Sequence, residues 1–312
     1  MPQPRAQEAL GKERVLKLIL RFSVPAIVSM VVNALYNIVD QYFIGNGIGE
    51  LGMAATNIAF PLTTLGTALA LLLGVGGASN FNLHQGRGNP EEAARIAGNS
   101  LSLLALTGLG LGLLCGLLLR PLLTAFGATE SILPYALPYT AIIVLGLPFM
   151  IFTTGAAHMI RADGSPRYAM VIMVSGAVFN VIFDPVFLFV FDMGIAGIAW
   201  ATTLGQVLTA VLAAVYLRRG LRSAPLTAKD LRPRFSYAKT IAALGSASCF
   251  NQLAMTVVQI ALNNSLRHYG GLSVYGSEIP LACVGALSKL NVLFMAFVIG
   301  IAQGNQPIVS YN

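Results

Sequence analysis

The sequence predicts an all-α integral membrane protein. Of its 312 residues, 56% are hydrophobic and only 10% are charged, whereas a soluble domain carries about a quarter charged residues. The apolar runs are about 20 residues long, the length of a helix that crosses a bilayer, and differ from the roughly 10-residue alternating strands of a membrane barrel. These observations indicate a protein built from membrane-spanning helices.

Eight apolar runs are long enough to be spanning helices. We place them at 16–44, 54–82, 93–119, 133–160, 168–191, 195–217, 238–267 and 280–306. Because consecutive spans alternate in direction, sixteen of the nineteen lysines and arginines fall on the side that holds the N-terminus. The positive-inside rule therefore predicts a multi-pass protein of the cytoplasmic membrane with its N-terminus in the cytoplasm. This orientation accounts for the net charge of +7 without a nucleic-acid partner.

The polar, basic segment 218–239 predicts a division of the chain into two lobes. We expect an N-terminal lobe of six helices at 1–217, a cytoplasmic linker at 218–239, and a partial second lobe at 240–312 with the seventh and eighth helices. Similar small, amide-rich segments at 74–82 and 300–308 indicate an internal repeat. A second lobe of six helices would make this sequence a fragment that lacks the last helices.

The first span carries a polar stripe that ends in an acid. Asn33, Asn37 and Asp40 share one helix face. Pro25 removes a backbone hydrogen bond near the other end of the span and permits a bend. The stripe and the bend suit a moving helix that binds a cation, because ionisable groups inside a membrane are functional by default. The alternative is that Asp40 is a boundary residue solvated by headgroups.

The fifth span carries a second acid, Asp184, one turn after Asn180, and the proline that follows leaves a backbone carbonyl without its helical donor. Counted from the predicted helix ends at about 1.5 Å per residue, both residues lie roughly 6–17 Å from the outer surface, as do Asp40, Tyr139 and Thr202. Two carboxylates that meet in a low dielectric need a proton or a cation between them, and oxygen ligands suit H⁺ or Na⁺. The alternative is a structural role for Asp184, although its lobe offers no lysine or arginine at that depth.

A further set of polar side chains is a candidate lining for a cavity: Tyr36, Gln252, Gln259, Asn263 and Lys289. The amides also suit hydrogen bonds between helices, and Lys289 suits an anion, repulsion of the cation in one state, or an outward snorkel. No nucleotide-binding or hydrolase motif is present, and the three cysteines form no disulfide or zinc pattern. We therefore expect a secondary transporter, not an enzyme, with no cofactor other than its coupling ion.

Five segments together resemble the multidrug and toxic compound extrusion (MATE) transporters, in the bacterial and archaeal branch that includes the NorM and DinF types. They are NIVD at 37–40, GLPF at 146–149, RADG at 161–164, NVIFDP at 180–185 and QGNQP at 303–307. The resemblance implies twelve helices in two six-helix lobes around a central cavity. It also implies cation-coupled export of amphipathic, often cationic compounds, with a first-lobe cation site at Asp40, Tyr139, Asn180, Asp184 and Thr202. Some members also use an acid in the second lobe, whereas the seventh and eighth spans here contain no Asp or Glu within the membrane.

The expected partners are amphipathic small-molecule substrates and membrane lipids, with no nucleic acid, and the expected state is a monomer. Three alternatives stay open. A flippase for lipid-linked precursors would need a strongly cationic cavity, to which only Lys289 points. A membrane scaffold would tolerate loss of the acids, and an ion channel would need a charged ring or a filter loop.

Overall fold

The computed structural model describes residues 13–221, 226–227, 229–272 and 278–312, with few of the side chains between 259 and 290. All regular elements in these ranges are helical. Eight of the helices are long and apolar enough to cross a membrane. The predicted fold class, an all-α integral membrane protein, is therefore confirmed.

The helices follow one another through short connections over most of the chain. They are α1 Val15–Gly47, α2 Glu50–Gly86, α3 Pro90–Leu117, α4 Leu119–Ala125, α5 Leu133–Ala162, α6 Pro166–Pro185 with a π-helical turn Val186–Val190, α7 Gly194–Arg218, α8 Phe235–Gly271 and α9 Glu278–Tyr311. All are spanning helices except the seven-residue α4. Several extend a turn beyond the predicted ends, because a polar terminal turn still forms helical hydrogen bonds.

The third predicted span, 93–119, is interrupted in the structure. α3 ends at Leu117, and the separate short helix α4 begins at Leu119. Pro121 cannot donate a hydrogen bond to the carbonyl four residues back, and its ring clashes with that carbonyl. The helix therefore breaks one turn before the proline, although the sequence remains apolar.

α5 lies at the centre of the N-terminal bundle and packs against α2, α3 and α7. At its crossing with α2, a Cβ on Gly74 would lie 2.5 Å from the Gly155 Cα. Membrane helices gain van der Waals contact where small residues let their backbones approach. Around this crossing Phe81, Ile151 and Met159 are fully buried, so the core lies between α2 and α5.

α1 has a different partner at each half of its length. The half of α1 that begins at Val15, which we call its inner half, packs on α9. The half that ends at Gly47, the outer half, packs on α6. A Cβ on Gly300 of α9 would lie 2.6 Å from the Ile27 Cα, and one on Gly304 would lie 2.5 Å from the Ser23 Cα. The inner half of α1 is thus in direct backbone contact with α9.

We call the end of the bundle where α1 begins and where α2 and α9 finish the inner end. Gln306 of α9 lies there, and its Nε2 donates to Ser79 Oγ at 3.0 Å and to the Val75 carbonyl at 3.2 Å. Its Oε1 is 3.3 Å from Nδ1 of His158 on α5. We call these four residues the inner junction. The two amide-rich segments that indicated a repeat therefore contact each other here.

Candidate functional site

Asp40 of α1 and Asp184 of α6 lie on two helices that pack together. Asp184 is 0% exposed, and neither of its carboxylate oxygens has a hydrogen-bond partner among the described residues. Oδ1 of Asp40 is also buried without such a partner. The two acids are within electrostatic reach of each other. Three carboxylate oxygens without a hydrogen-bond partner, two from Asp184 and one from Asp40, thus form a region that favours a positive charge.

Neither acid is neutralised by a basic side chain within the described ranges. The three ion pairs found there join Lys17 and Arg21 to Glu13, and Arg95 to Glu92. All five of these residues lie near the inner end, in the first turns of α1 and α3 or just before them. The structural alternative, in which Asp184 pairs with a cation of its own lobe, therefore finds no partner in the part of the chain described.

Two tyrosines border the acid pair. Tyr139 of α5 and Tyr36 of α1 each interact electrostatically with both Asp40 and Asp184. Tyr139 belongs to the predicted cation site, whereas Tyr36 was expected only as a cavity-lining residue. The available signal for Tyr36 was its spacing, since it precedes Asp40 by one helical turn and shares its face.

Asn180 of α6 and Thr202 of α7 also meet, as the depth argument expected. Asn180 Nδ2 donates to Thr202 Oγ1 at 3.1 Å, while Asn180 Oδ1 is buried with no partner among the described residues. The amide oxygen is therefore free to accept from, or coordinate, a positive species. It lies one turn from Asp184, so the two residues present their oxygens on one face of α6.

Two further unsatisfied oxygens occur at similar depth, and sequence reasoning missed both. Thr140 Oγ1 on α5 and Gln206 Oε1 on α7 are buried without a hydrogen-bond partner among the described residues. Thr140 follows Tyr139 directly, and Gln206 lies one turn after Thr202. These spacings were the only signal for either residue in the sequence.

The backbone changes its winding immediately after Asp184. Pro185 has no N–H, and a π-helical turn, Val186–Val190, follows it, closed by a 3.0 Å hydrogen bond from Phe191 N to the Val186 carbonyl. Such turns occur frequently at functional sites. Leu188 of this turn is buried against Gly47 at the end of α1, so the turn also fixes α1 beside α6.

The predicted hinge residues lie in a continuous helix. Pro25 is buried within α1, and Ser29 Oγ donates to its carbonyl at 2.8 Å. Asn37 Nδ2 donates to both the side-chain oxygen and the carbonyl of Asn33, at 2.9 and 2.8 Å. Asn37 therefore donates back to Asn33, and among the described residues no hydrogen bond joins either amide to an acid.

The remaining cavity candidates lie on α8 and α9. Gln252 is half-buried on α8. The side chains of Gln259, Asn263 and Lys289 lie outside the described residues. In the described ranges no three His, Cys, Asp or Glu side chains cluster as a metal site would require. The donors at the acid pair are instead carboxylate, amide, hydroxyl and phenol oxygens, which suit hard monovalent cations or protons.

Comparison with known proteins gives consistent matches. The MatE family model matches residues 25–186. The multidrug export protein MepA of Staphylococcus aureus is 24% identical over 305 residues, which cover 96% of this chain and 65% of MepA. A solved MATE family multidrug resistance transporter of the MOP superfamily, in an outward-facing conformation, gives a TM-score of 0.88 at 26% identity, over 99% of this chain and 66% of that one.

A further solved structure has a similar fold but a binding pocket of different polarity. It is a MOP superfamily transporter from Pyrococcus furiosus, whose binding pocket of reverse polarity suggests a different function for that protein. The match has a TM-score of 0.87 at 26% identity and covers 99% of this chain and 66% of the other.

The chain spans about 65% of the length of the curated relatives that it matches. The family model covers more than half of the chain, from Pro25 of α1 to the π-helical turn, and thus includes both Asp40 and Asp184. On this match, which agrees with the fold and with the five sequence segments, the chain belongs to the MatE family of MATE transporters.

Proposed function

We propose that this protein is a secondary active antiporter of the cytoplasmic membrane that couples entry of H⁺ or Na⁺ to export of amphipathic, often cationic compounds. The observation that carries the proposal is the pair Asp40 and Asp184, which interact electrostatically and carry three carboxylate oxygens with neither a hydrogen-bond nor a cationic partner among the described residues. The multidrug export activity named for MepA supports the substrate class. The fold alone does not set the substrate, because related proteins can differ in function.

Binding of a positive charge lowers the free energy of this acid pair by enough to shift the balance between two conformations. Two like charges within several ångströms of each other repel by a few kcal/mol at an effective dielectric of about 20. Each buried charge also costs several kcal/mol of desolvation. A proton or Na⁺ between Asp40 and Asp184 removes much of both penalties, so the occupied site favours close packing of α1 on α6.

α1 supplies a route from the site to the second lobe. Its outer half carries Asp40, and its inner half contacts Gly300 and Gly304 of α9 at backbone distance. A bend near Pro25 would change the relation between these two contacts. Antiport requires only that cation and substrate favour different positions of such an element.

The test uses the full-length transporter in cells that lack other exporters, loaded with a fluorescent cationic dye. Asp40→Asn and Asp184→Asn should each reduce gradient-driven dye efflux to background, while membrane expression stays at the wild-type level. Efflux measured under separately imposed Na⁺ and pH gradients identifies the coupling ion.

Asp192→Asn is the matched control. Asp192 is an exposed acid between the π-helical turn and α7 with a φ of 51°, a conformation that asparagine adopts readily. This variant should export at the wild-type rate. Wild-type efflux by both Asp40→Asn and Asp184→Asn would refute the proposed site.

A further inference from the structure

A second site lies far from the acid pair, where the linker meets the beginnings of α3 and α8. It is a cavity of about 480 Å³, within the usual size range of small-molecule sites. Its charged lining comes from Glu91 and Arg95 of α3 and from Lys229, Asp230 and Arg234 of the linker. The cation site proposed above uses none of these residues.

Side chains of α3 bind the backbone of the linker residues that form one wall of this cavity. Asn99 is 2% exposed, and its Oδ1 accepts from Arg234 N at 2.7 Å while its Nδ2 donates to the Asp230 carbonyl at 3.2 Å. Ser102 Oγ donates to the Leu231 carbonyl at 2.6 Å. The segment predicted as a simple connector is thus fixed on the first lobe where it passes α3, and the cavity has a defined shape.

Some charged side chains of the lining have hydrogen-bond partners among the described residues, and others do not. The side chains of Lys229, Arg234 and Glu91 form no ion pair and no hydrogen bond in the part of the chain described, although Glu91 is within electrostatic reach of Arg95. The carboxylate of Asp230, in contrast, accepts from Thr227 N at 2.9 Å and from Thr227 Oγ1 at 2.6 Å. The cavity therefore presents two cations without a described ion-pair partner and one carboxylate, Glu91, that is free of hydrogen bonds but lies near Arg95.

Arg95 adds a third cation that is only partly neutralised. Its Nη1 is 3.3 Å from Glu92 Oε2, and its guanidinium also interacts with Tyr237 of α8. A guanidinium has five N–H groups, so some remain for an oxyanion beyond those that contact Glu92 and Tyr237. A ligand with both a negative and a positive group would match this lining better than a simple anion, because Glu91 would repel a simple anion.

The cavity lies where two spanning helices begin, the level at which lipid headgroups are expected. α3 begins at Pro90, which lines the cavity, and α8 begins at Phe235, directly after the lining residue Arg234. Phe235 is 87% exposed and Leu231 is 46% exposed, so apolar surface lies next to the charges, as acyl chains beside a headgroup would require. Basic pockets among membrane helices on the cytoplasmic side bind lipid headgroups.

We propose that this cavity binds a phospholipid whose headgroup carries a phosphodiester and a primary ammonium, the phosphatidylethanolamine class. The phosphodiester lies against Arg95, Lys229 and Arg234, and the ammonium lies against Glu91. The lipid joins the start of α3 to the linker and the start of α8.

The experiment measures lipid adducts on the purified full-length protein by native mass spectrometry. Phosphatidylethanolamine, phosphatidylcholine and phosphatidylglycerol with the same acyl chains are titrated in turn. Wild-type protein should bind the ethanolamine lipid most tightly, because choline has no N–H to donate to Glu91. The double variant Lys229→Gln/Arg234→Gln should lose about tenfold or more in affinity for it. Glu91→Gln should bring the ethanolamine lipid down to the affinity of the choline lipid.

Arg232→Gln is the matched control, because Arg232 is an exposed linker arginine that does not line the cavity. It should bind all three lipids as wild type does. Equal binding of the three lipids by wild type, or unchanged binding by the double variant, would overturn the proposal. Displacement of the lipid by soluble O-phosphoethanolamine at the same concentration would show that the ligand is a free zwitterion and would overturn the lipid assignment.

The readout is separate from transport and from folding. Asp184→Asn should keep wild-type lipid adducts, so failure of the cation site leaves this result unaffected. Gel-filtration profiles and thermal unfolding of the variants identify any loss of fold. A well-folded double variant with normal adducts counts against the site.

Discussion

Replacement of Gln306 by leucine should open the inner end of the bundle. Leucine has a similar volume but cannot make the three contacts to Ser79, the Val75 carbonyl and His158, which span 3.0–3.3 Å. Each hydrogen bond contributes about 0.5–1.5 kcal/mol, so the closed arrangement should lose about 1.5–4.5 kcal/mol. At 1.4 kcal/mol per factor of ten, it becomes about 10- to 1,000-fold less favoured relative to an open one.

The assay is a distance measurement on the full-length protein in lipid nanodiscs. Spin labels are placed at Arg87, an exposed residue after α2, and at Val309, which is 76% exposed on α9. The native cysteines are replaced beforehand. In wild type we expect one short distance, and in Gln306→Leu a second, longer population that dominates the distribution.

Gln303→Leu provides the control on the same helix. Gln303 lies almost one turn before Gln306, and its Oε1 is buried without a hydrogen-bond partner among the described residues. The same chemical change there should leave the short distance in place. If Gln306→Leu retained the wild-type distribution, or if both variants shifted it equally, the inner junction would not be what holds this end closed.

Three further predictions follow from single contacts. Thr202→Val removes the hydroxyl that accepts from Asn180, so about tenfold more coupling cation should be needed for half-maximal dye efflux; an unchanged requirement would exclude this pair from the site. Gly74→Val should force α2 and α5 apart and lower stability in thermal unfolding by about 1–3 kcal/mol. Gly110→Val, where a Cβ meets nothing within 4 Å, should change stability by less than about 0.5 kcal/mol, and equal losses would contradict the packing argument. Asn99→Ala should speed hydrogen exchange in the linker, and unchanged exchange would mean that other contacts hold it.

The sequence allowed the residues of the candidate cation site to be placed at a similar depth, because helix rise converts residue counts into distances. That conversion placed Asn180 and Thr202 at a common level, and the structure joins them by a hydrogen bond. The contacts made by each helix face were harder to predict from the sequence. The amide stripe in α1 suggested a path toward Asp40, whereas Asn33 and Asn37 bond to each other.

Contacts between distant segments could not be predicted from periodicity. Asn99 binds linker residues that lie 131 and 135 positions later in the chain, and nothing local marks it as their anchor. The break at Pro121 was different, because the rule that a proline ends the helix one turn earlier applies to the sequence directly. That signal was obscured by the apolar residues on both sides of the proline.

The glycine contacts between α1 and α9 have a consequence for inhibition. Because neither Gly300 nor Gly304 has a side chain that could change rotamer, a displacement of α9 toward α1 acts directly on Ile27 and Ser23. A molecule bound between α1 and α9 at these glycines would hold the two helices in one arrangement. If the protein exports compounds as proposed, such a molecule would inhibit it away from Asp40 and Asp184 and without competing for the substrate.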